Sequence, residues 1–266
     1  MEKSIKISVI IPTYKPDYYI WECLDSIKDQ SLDKFFFEVL IILNGDKEPY
    51  FAEIKNYIKR NKLFNFKLIY TEEKGVSNAR NIGIEISQGD YIAFIDDDDY
   101  INKNYLYALF RNINKEKITL ANYINFDENK KSKFLKKYCG QSKKLFKFRK
   151  HFSIVWGKLI PRWIIRDIRF NTKYKNGEDS LFMVAISKNI RFIEAINNEA
   201  IYYRRMRKNS ANFKKKEKIY IIKNSYEQIK EYISFYHNNQ YDKIFVLIRI
   251  MAVIKGMFIS IFMRKI

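Results

Sequence analysis

The sequence predicts an α/β fold, a mostly parallel central sheet flanked by helices and followed by a helical C-terminal extension. Two observations carry this. Short apolar runs alternate with segments whose apolar residues recur every three or four positions, the rhythm of βαβ units. The runs end in polar residues, at Pro12-Thr13-Tyr14, Asn44-Gly45-Asp46 and Asp96 to Asp99. Ligands collect at the carboxyl ends of strands in such sheets, so three polar ends converging there suit a nucleotide site.

The elements follow in order. Ile7 to Ile11 is an apolar strand ended by Pro12. From Asp17 to Gln30, Trp21, Leu24 and Ile27 keep helical spacing. Glu38 to Leu43 is a second buried strand, stopped by Asn44-Gly45, and Phe51, Ile54 and Ile58 mark a helix. Phe66 to Tyr70 is the third strand. Residues 76 to 87 form a helix with Ala79, Ile82 and Ile86 on one face. Tyr91 to Ile95 is the fourth strand, and Leu106, Leu109 and Ile113 mark the helix after the acidic run. The second half is less regular. A short strand is expected between Ile118 and Phe126, and a helix over Ser180 to Ile186. Ile219, Ile222, Tyr226, Ile229 and Ile233 give an amphipathic helix. Its apolar face is expected to meet the core or a second subunit, so a homo-oligomer is one expectation.

Composition narrows the function. Two cysteines, Cys23 and Cys139, supply neither a disulfide framework nor zinc spacing, and two histidines cannot build a multi-histidine metal site. Ile-Ser-Val-Ile-Ile-Pro begins almost at once, with no basic region and apolar signal segment before it. The expectation is a cytoplasmic protein. The net charge is +20, and the basic residues cluster. Asn129 to Lys150 holds ten Lys or Arg and no acid, Arg204 to Lys218 holds eight against Glu217, and no acid follows Asp242. Nucleic acid, an anionic membrane surface or phosphorylated substrates could each answer that charge.

The tail from Lys243 to Ile266 is apolar but interrupted by Lys243, Arg249 and Lys255. Its longest uncharged stretch, Gly256 to Met263, falls far short of the roughly 20 residues that span a bilayer. The charges, six residues apart, spread around a helix instead of forming one polar face. Two readings stay open: the tail lies on a membrane with Lys and Arg snorkelling, or it packs on the domain.

Tyr91 to Asp99 is the most telling stretch. A β-prone run ends in four consecutive carboxylates, which repel each other and resist burial unless a cation joins them. Mg2+ or Mn2+ suits oxygen ligands and commonly carries substrate phosphates on its remaining sites. The plain alternative is a solvated acidic turn.

Four stretches together resemble the family 2 glycosyltransferases: Ser8-Val-Ile-Ile-Pro-Thr-Tyr14, Gly75-Val-Ser-Asn-Ala-Arg-Asn-Ile-Gly83, Gly89 to Asp99, and Gly177-Glu-Asp179. The likeness covers roughly residues 5 to 212 and implies the GT-A (Rossmann-like) fold. It divides the chain into a nucleotide-sugar half (1–115), an acceptor half (116–212) and a helical basic extension (213–266). The implied reaction is inverting transfer of a hexose or N-acetylhexosamine from a UDP-linked donor to a hydroxyl of a growing bacterial surface glycan. That glycan would be a lipooligosaccharide, O-antigen or capsule, lipid-linked or free.

The likeness also implies roles. Asp98 is the main ligand of Mn2+ or Mg2+, with Asp96 in the same Asp-x-Asp pattern, and Asp96 or Asp97 faces the nucleotide sugar. Pro12, Thr13 and Tyr14 meet the nucleotide, and Arg80 meets its base or pyrophosphate. Asp179 is the catalytic base, with Glu178 beside it on the acceptor side. Trp156 and Lys158 approach the acceptor, Trp156 either stacking on a sugar or serving the core. Arg204, Arg205 and Ser210 close over the diphosphate. Relatives have a paired Asp after the second strand; here Leu43 and Asn44 stand there, and Asn44 retains a donor and an acceptor for a uracil edge. A basic nucleic-acid-binding protein is disfavoured, because no recognised motif accompanies the charge and the acidic run repels phosphate. No nucleic-acid partner is therefore expected. A catalytically silent sugar-nucleotide binder is disfavoured because Asp96, Asp98 and Asp179 are all present. With the basic tail, the chain is expected at the inner face of the cell membrane, peripherally held on an anionic surface.

Overall fold

The computed structural model describes residues 5–127, 132–134, 140–196, 199–207 and 217–263. The first half runs β1 (Ile7–Thr13), α1 (Tyr19–Lys28), β2 (Phe37–Asn44), α2 (Tyr50–Arg60), β3 (Phe66–Thr71), α3 (Val76–Ile86), β4 (Tyr91–Phe94), β5 (Tyr100–Ile101) and α4 (Tyr105–Arg111). These strands pair in the order β3-β2-β1-β4, all parallel. Alternation along β1 and β2 separates two cores. Val9, Ile11, Val39 and Ile41 serve one face, Ile10, Leu40 and Ile42 the other. Both faces are covered, which is why the runs read as continuously apolar.

β1 continues through Pro12 instead of stopping before it. The Ile10 carbonyl accepts from Ile95 N–H on the β4 side. Pro12, two residues on, turns its missing N–H to that same side, where β4 has already ended. Helix α3 lies close on β1 because residue 83 is glycine. A Cβ there would stand 2.4 Å from Ile10 Cγ2. That close seat turns Arg80, one helical turn earlier, into the interior.

The second half adds β6 (Lys117–Leu120), β7 (Asn122–Phe126), β8 (Ser132–Phe134), β9 (Gly140–Ser142), β10 (Lys158–Pro161), α5 (Arg162–Ile165), α6 (Glu178–Ser187), β11 (Phe192–Ala195), β12 (Ile201–Arg205), α7 (Lys218–His237) and α8 (Lys243–Phe258). The sheet continues as β4-β10-β6-β11-β9, with β10 antiparallel to both neighbours. A second sheet has the order β5-β12-β7-β8. The segment expected as one strand over Ile118 to Phe126 is therefore two, β6 and β7, in different sheets. The GT-A arrangement is the one observed, a parallel N-terminal sheet flanked by helices with C-terminal helices beyond it.

Two expectations for the C-terminal helices change. The stripe Ile219, Ile222, Tyr226 and Ile233 of α7 faces outward, while Ser225, Gln228 and Tyr232 face the domain. The tail is one helix from Lys243 to Phe262, long and apolar enough by length and composition to cross a membrane. Two of its three interrupting charges are drawn aside: Arg249 Nη1 donates to Ser153 Oγ at 2.9 Å, and Lys243 donates to the Tyr236 carbonyl, while Lys255 stays exposed. Phe245 and Val246 are fully buried, Phe245 edge-on to Phe152. Burying these two side chains contributes about 3–6 kcal/mol at most, so the start of α8 belongs to the core.

Candidate functional site

The carboxyl ends of β1, β2 and β4 open onto a cavity of about 650 Å³. Of the residues expected in a site, Pro12, Tyr14, Asn44, Arg80, Asp96, Asp97, Asp98, Trp156, Glu178, Asp179, Arg204 and Arg205 all line it. Thr13 and Lys158 do not, and Ser210 lies outside the described residues.

The β1 and β2 ends form one wall. Tyr14 is 47% exposed, and its ring rests on Gly45 with the Lys15 and Lys74 ammonium groups near its face. Both lysines pair with Asp46, at 2.7 and 3.2 Å. An exposed aromatic shelf flanked by cations suits a base and the phosphates attached to it. Asn44 is buried and has another task. Its Nδ2 donates to the Thr13 carbonyl at 2.7 Å, and its Oδ1 accepts Gly75 N–H at 2.9 Å. The amide expected to read a uracil edge instead clamps β1 to the start of α3. Thr13 is fully buried with its hydroxyl unpartnered, so its side chain does not reach the cavity as expected.

The opposite wall is acidic. Glu178 and Asp179 form the first turn of α6, after Gly177 in a left-handed conformation (φ +84°). At that φ any other side chain is strained, and a Cβ would also push aside the end of the Gln228 side chain, 2.3 Å away. The helix N-terminus favours both carboxylates, but burial opposes it. Burial, with Asp179 alongside, pushes Glu178 up to about 7. Burial likewise raises Asp179 above the ordinary carboxylate range, with Arg80 pulling it back and Asp96 adding to the rise. A carboxylate raised in this way is a better proton acceptor near neutral pH.

Arg80 joins the two acidic groups. Its side chain is 4% exposed; Nη1 donates to Asp179 Oδ1 at 2.6 Å and Nη2 to Asp96 Oδ1 at 3.0 Å. Glu178 lies 3.8 Å from Nη1. Burial disfavours the guanidinium, yet Asp179, Asp96 and Glu178 outweigh it and hold Arg80 charged. With both terminal nitrogens committed, Arg80 holds Asp179 against Asp96. It still lines the cavity where a base or pyrophosphate contact was expected, with its terminal nitrogens on Asp179 and Asp96.

The four aspartates divide their work. Asp99 is buried; it accepts from the Tyr202 hydroxyl at 2.8 Å and from Arg205 N–H at 2.7 Å, a brace between β4 and β12. Asp98 Oδ2 pairs with Arg207 Nε at 2.5 Å. Burial and repulsion from neighbouring aspartates raise both Asp97 and Asp98, and Arg207 offsets part of this. Among the described residues, no group of three or more His, Cys, Asp or Glu forms a metal shell. One or two carboxylates with excess negative charge beside a cavity still fit a divalent cation of the kind that keeps sites for phosphate. Asp98, with Asp96 or Asp97, would hold it.

β12 delivers the cations. Arg205 donates through Nε to the Asp98 carbonyl at 2.9 Å and pairs with Glu22. Arg207, two residues on, donates to the Tyr19 hydroxyl at 2.7 Å. Arg207, Tyr19 and Lys15 were not expected from the sequence. The period of two from Arg205 to Arg207 was the available signal. Arg204 lies over Trp156, 5.7 Å from its ring. Trp156 stacks on Tyr202 at 4.7 Å and meets Tyr123 edge-on, so it is largely a core aromatic bordering the cavity.

Lys158 is corrected most. Fully buried, its ammonium donates to the carbonyls of His151, Ile154 and Trp156 at 2.7–2.9 Å. Burial drops it to about 7. It shapes the loop carrying Ser153, Ile154 and Trp156, and it does not touch an acceptor.

Comparison with known proteins fits this geometry. Residues 8–174 match the model of glycosyl transferase family 2. The chain is 28% identical over 227 residues to glycosyltransferase GlyA of Streptococcus pneumoniae, covering 77% of this chain and 31% of that protein. It is 28% identical over 205 residues to the poly(ribitol-phosphate) beta-N-acetylglucosaminyltransferase TarS of Staphylococcus aureus, covering 75% of this chain and 35% of the relative. The chain thus spans about a third of these relatives' length. A crystal structure of S. aureus TarS 1-349 with UDP-GlcNAc superimposes with a TM-score of 0.78 at 23% identity, covering 97% of this chain and 73% of that one. The acid-lined cavity at the strand ends and the matched residues together place the chain: it belongs to glycosyl transferase family 2.

Proposed function

We propose that the protein is an inverting glycosyltransferase. It moves a hexose or N-acetylhexosamine from a UDP-linked donor to a hydroxyl of a bacterial surface glycan. One observation carries the reading: Asp179, raised above the ordinary carboxylate range by burial, lines one cavity with Asp96 to Asp98 and is joined to Asp96 through Arg80. Asp179 takes the acceptor hydroxyl's proton as that oxygen attacks the anomeric carbon. Tyr14 supports the base of the donor, and Arg204 faces its diphosphate, with Arg205 held beside it by Glu22 and the Asp98 carbonyl. Mn2+ or Mg2+ held by Asp98 would neutralise charge growing on the departing diphosphate. TarS carries UDP-GlcNAc in its crystal structure, and another relative is the poly(ribitol-phosphate) beta-glucosyltransferase of Bacillus spizizenii. The first supports a UDP-sugar, and the poly(ribitol-phosphate) in both relatives' names supports a phosphate-rich polymer as acceptor, which also suits the net charge of +20.

Screening UDP-sugars for UDP release, with Mn2+, Mg2+ or chelator, tests this. Release should be confined to one or two donors and lost in chelator and in Asp98→Asn. Equal activity in chelator would remove the metal; release from no nucleotide sugar would remove the reading.

A further inference from the structure

One side of α8 is uncovered. Ile244, Leu247, Met251, Ile254, Phe258 and Phe262 are 43% to 68% exposed. They recur every three or four residues and so make a single stripe, about 27 Å long at the helical rise. The opposite side is fixed by Phe245, Val246 and Arg249. Helix α7, packed against α8, exposes Ile219, Ile222, Tyr226 and Ile233, with Lys223 and Lys230 exposed among them. The acids of α7 are engaged with the domain: Glu227 takes the Lys173 ammonium at 2.7 Å, and Glu231 the Tyr174 hydroxyl at 3.3 Å.

The geometry points to a peripheral docking face on α7 and α8 for an anionic membrane surface, with α8 lying in the plane of the interface. Apolar side chains enter the acyl boundary while Lys223, Lys230 and Lys255 meet anionic headgroups. Two other occupants fit less well. A second copy would set the same lysines against each other, with no acid on the stripe to offset them. A helix crossing the bilayer would withdraw Phe245, Val246 and the Arg249–Ser153 hydrogen bond from the domain. Ser153 also lines the catalytic cavity, so this bond ties the docking helix to the cavity wall. The inference is independent of donor identity and of Asp179 as the base.

The full chain is sedimented with vesicles of phosphatidylcholine alone and of phosphatidylcholine with phosphatidylglycerol. Binding to the anionic vesicles should be about 10-fold stronger or more and should weaken with salt. The variant Leu247→Glu/Ile254→Glu/Phe258→Glu should lose about 10-fold or more of it, with its melting curve and any UDP-sugar hydrolysis unchanged. Should that variant not fold, Lys223→Glu/Lys230→Glu/Lys255→Glu decides: loss of anionic-vesicle binding supports the face, and unchanged binding overturns it. Absence of wild-type binding, or equal binding to both vesicle types, also overturns it. So does light scattering that shows a dimer dissociated by the apolar-face variant without any vesicle binding, which would assign the face to a second copy.

Discussion

Replacing Arg80 with Met removes the buried cation that Asp179 and Asp96 share while keeping an unbranched side chain against Phe170. The Arg80 side chain is 4% exposed, and its partners Asp96 and Asp179 are 30% and 18% exposed. Breaking a buried pair costs about 3–5 kcal/mol. Water reaches these carboxylates in part, so the lower end applies, about 3 kcal/mol, or a Tm lower by about 10 °C for a chain of this size. The pH dependence moves as well. Arg80 lowers the Asp179 pKa; without it that pKa rises further. Asp179 then ionises only at higher pH, and, with Asp179 as the proposed base, the acid limb of kcat/KM for UDP release shifts to the alkaline side. Denaturant melts and a pH profile read both effects. Arg80→Lys, whose single ammonium cannot bridge both carboxylates, should fall between. An acid limb that stays in place or moves to lower pH would refute the positioning of Asp179 by Arg80.

The other predictions concern the supports of the site. Glu178 has a folded pKa of about 7 against an ordinary 4.5. Its contribution is full below the unfolded value and is lost as pH rises through the folded one. Wild type should therefore lose stability relative to Glu178→Gln between about pH 5 and 8, measured as the difference in melting temperature. Lys158→Met leaves three carbonyls without their donor and should cost about 2 kcal/mol or more, with the acceptor KM rising as the Trp156 loop shifts; an unchanged melt would refute its buried role. Gly177→Ala meets Gln228 and a left-handed backbone, and should cost about 1–3 kcal/mol and lower kcat more than it raises donor KM.

The N-terminal half was legible because each signal was local. Val9 to Ile11 and Val39 to Ile42 are continuous apolar runs, and the carboxylates of Asp96 to Asp99 adjoin in the chain. What pairing over long distances decides was hidden. Lys-Leu-Ile-Pro at 158–161 gives no sign that it is an antiparallel strand between β4 and β6. Periodicity announced α7 but not which face meets the domain, because Tyr232 and Gln228 find partners in Ser180 and Asn176. Asn44 and Lys158 have the right chemistry for ligands, but nearby backbone groups claim them first. Asp179 was readable as a candidate from its motif; its tie to Asp96 runs through Arg80, 99 positions before it, and no local signal announces it.

The most direct measurement compares wild type with Asp179→Asn for sugar transfer from the UDP donor, alongside UDP affinity by calorimetry. Asparagine keeps an oxygen for Arg80 but cannot take the acceptor's proton. Transfer should fall by about 100-fold or more with UDP affinity nearly unchanged. Transfer that survives while UDP affinity collapses would contradict Asp179 as the base.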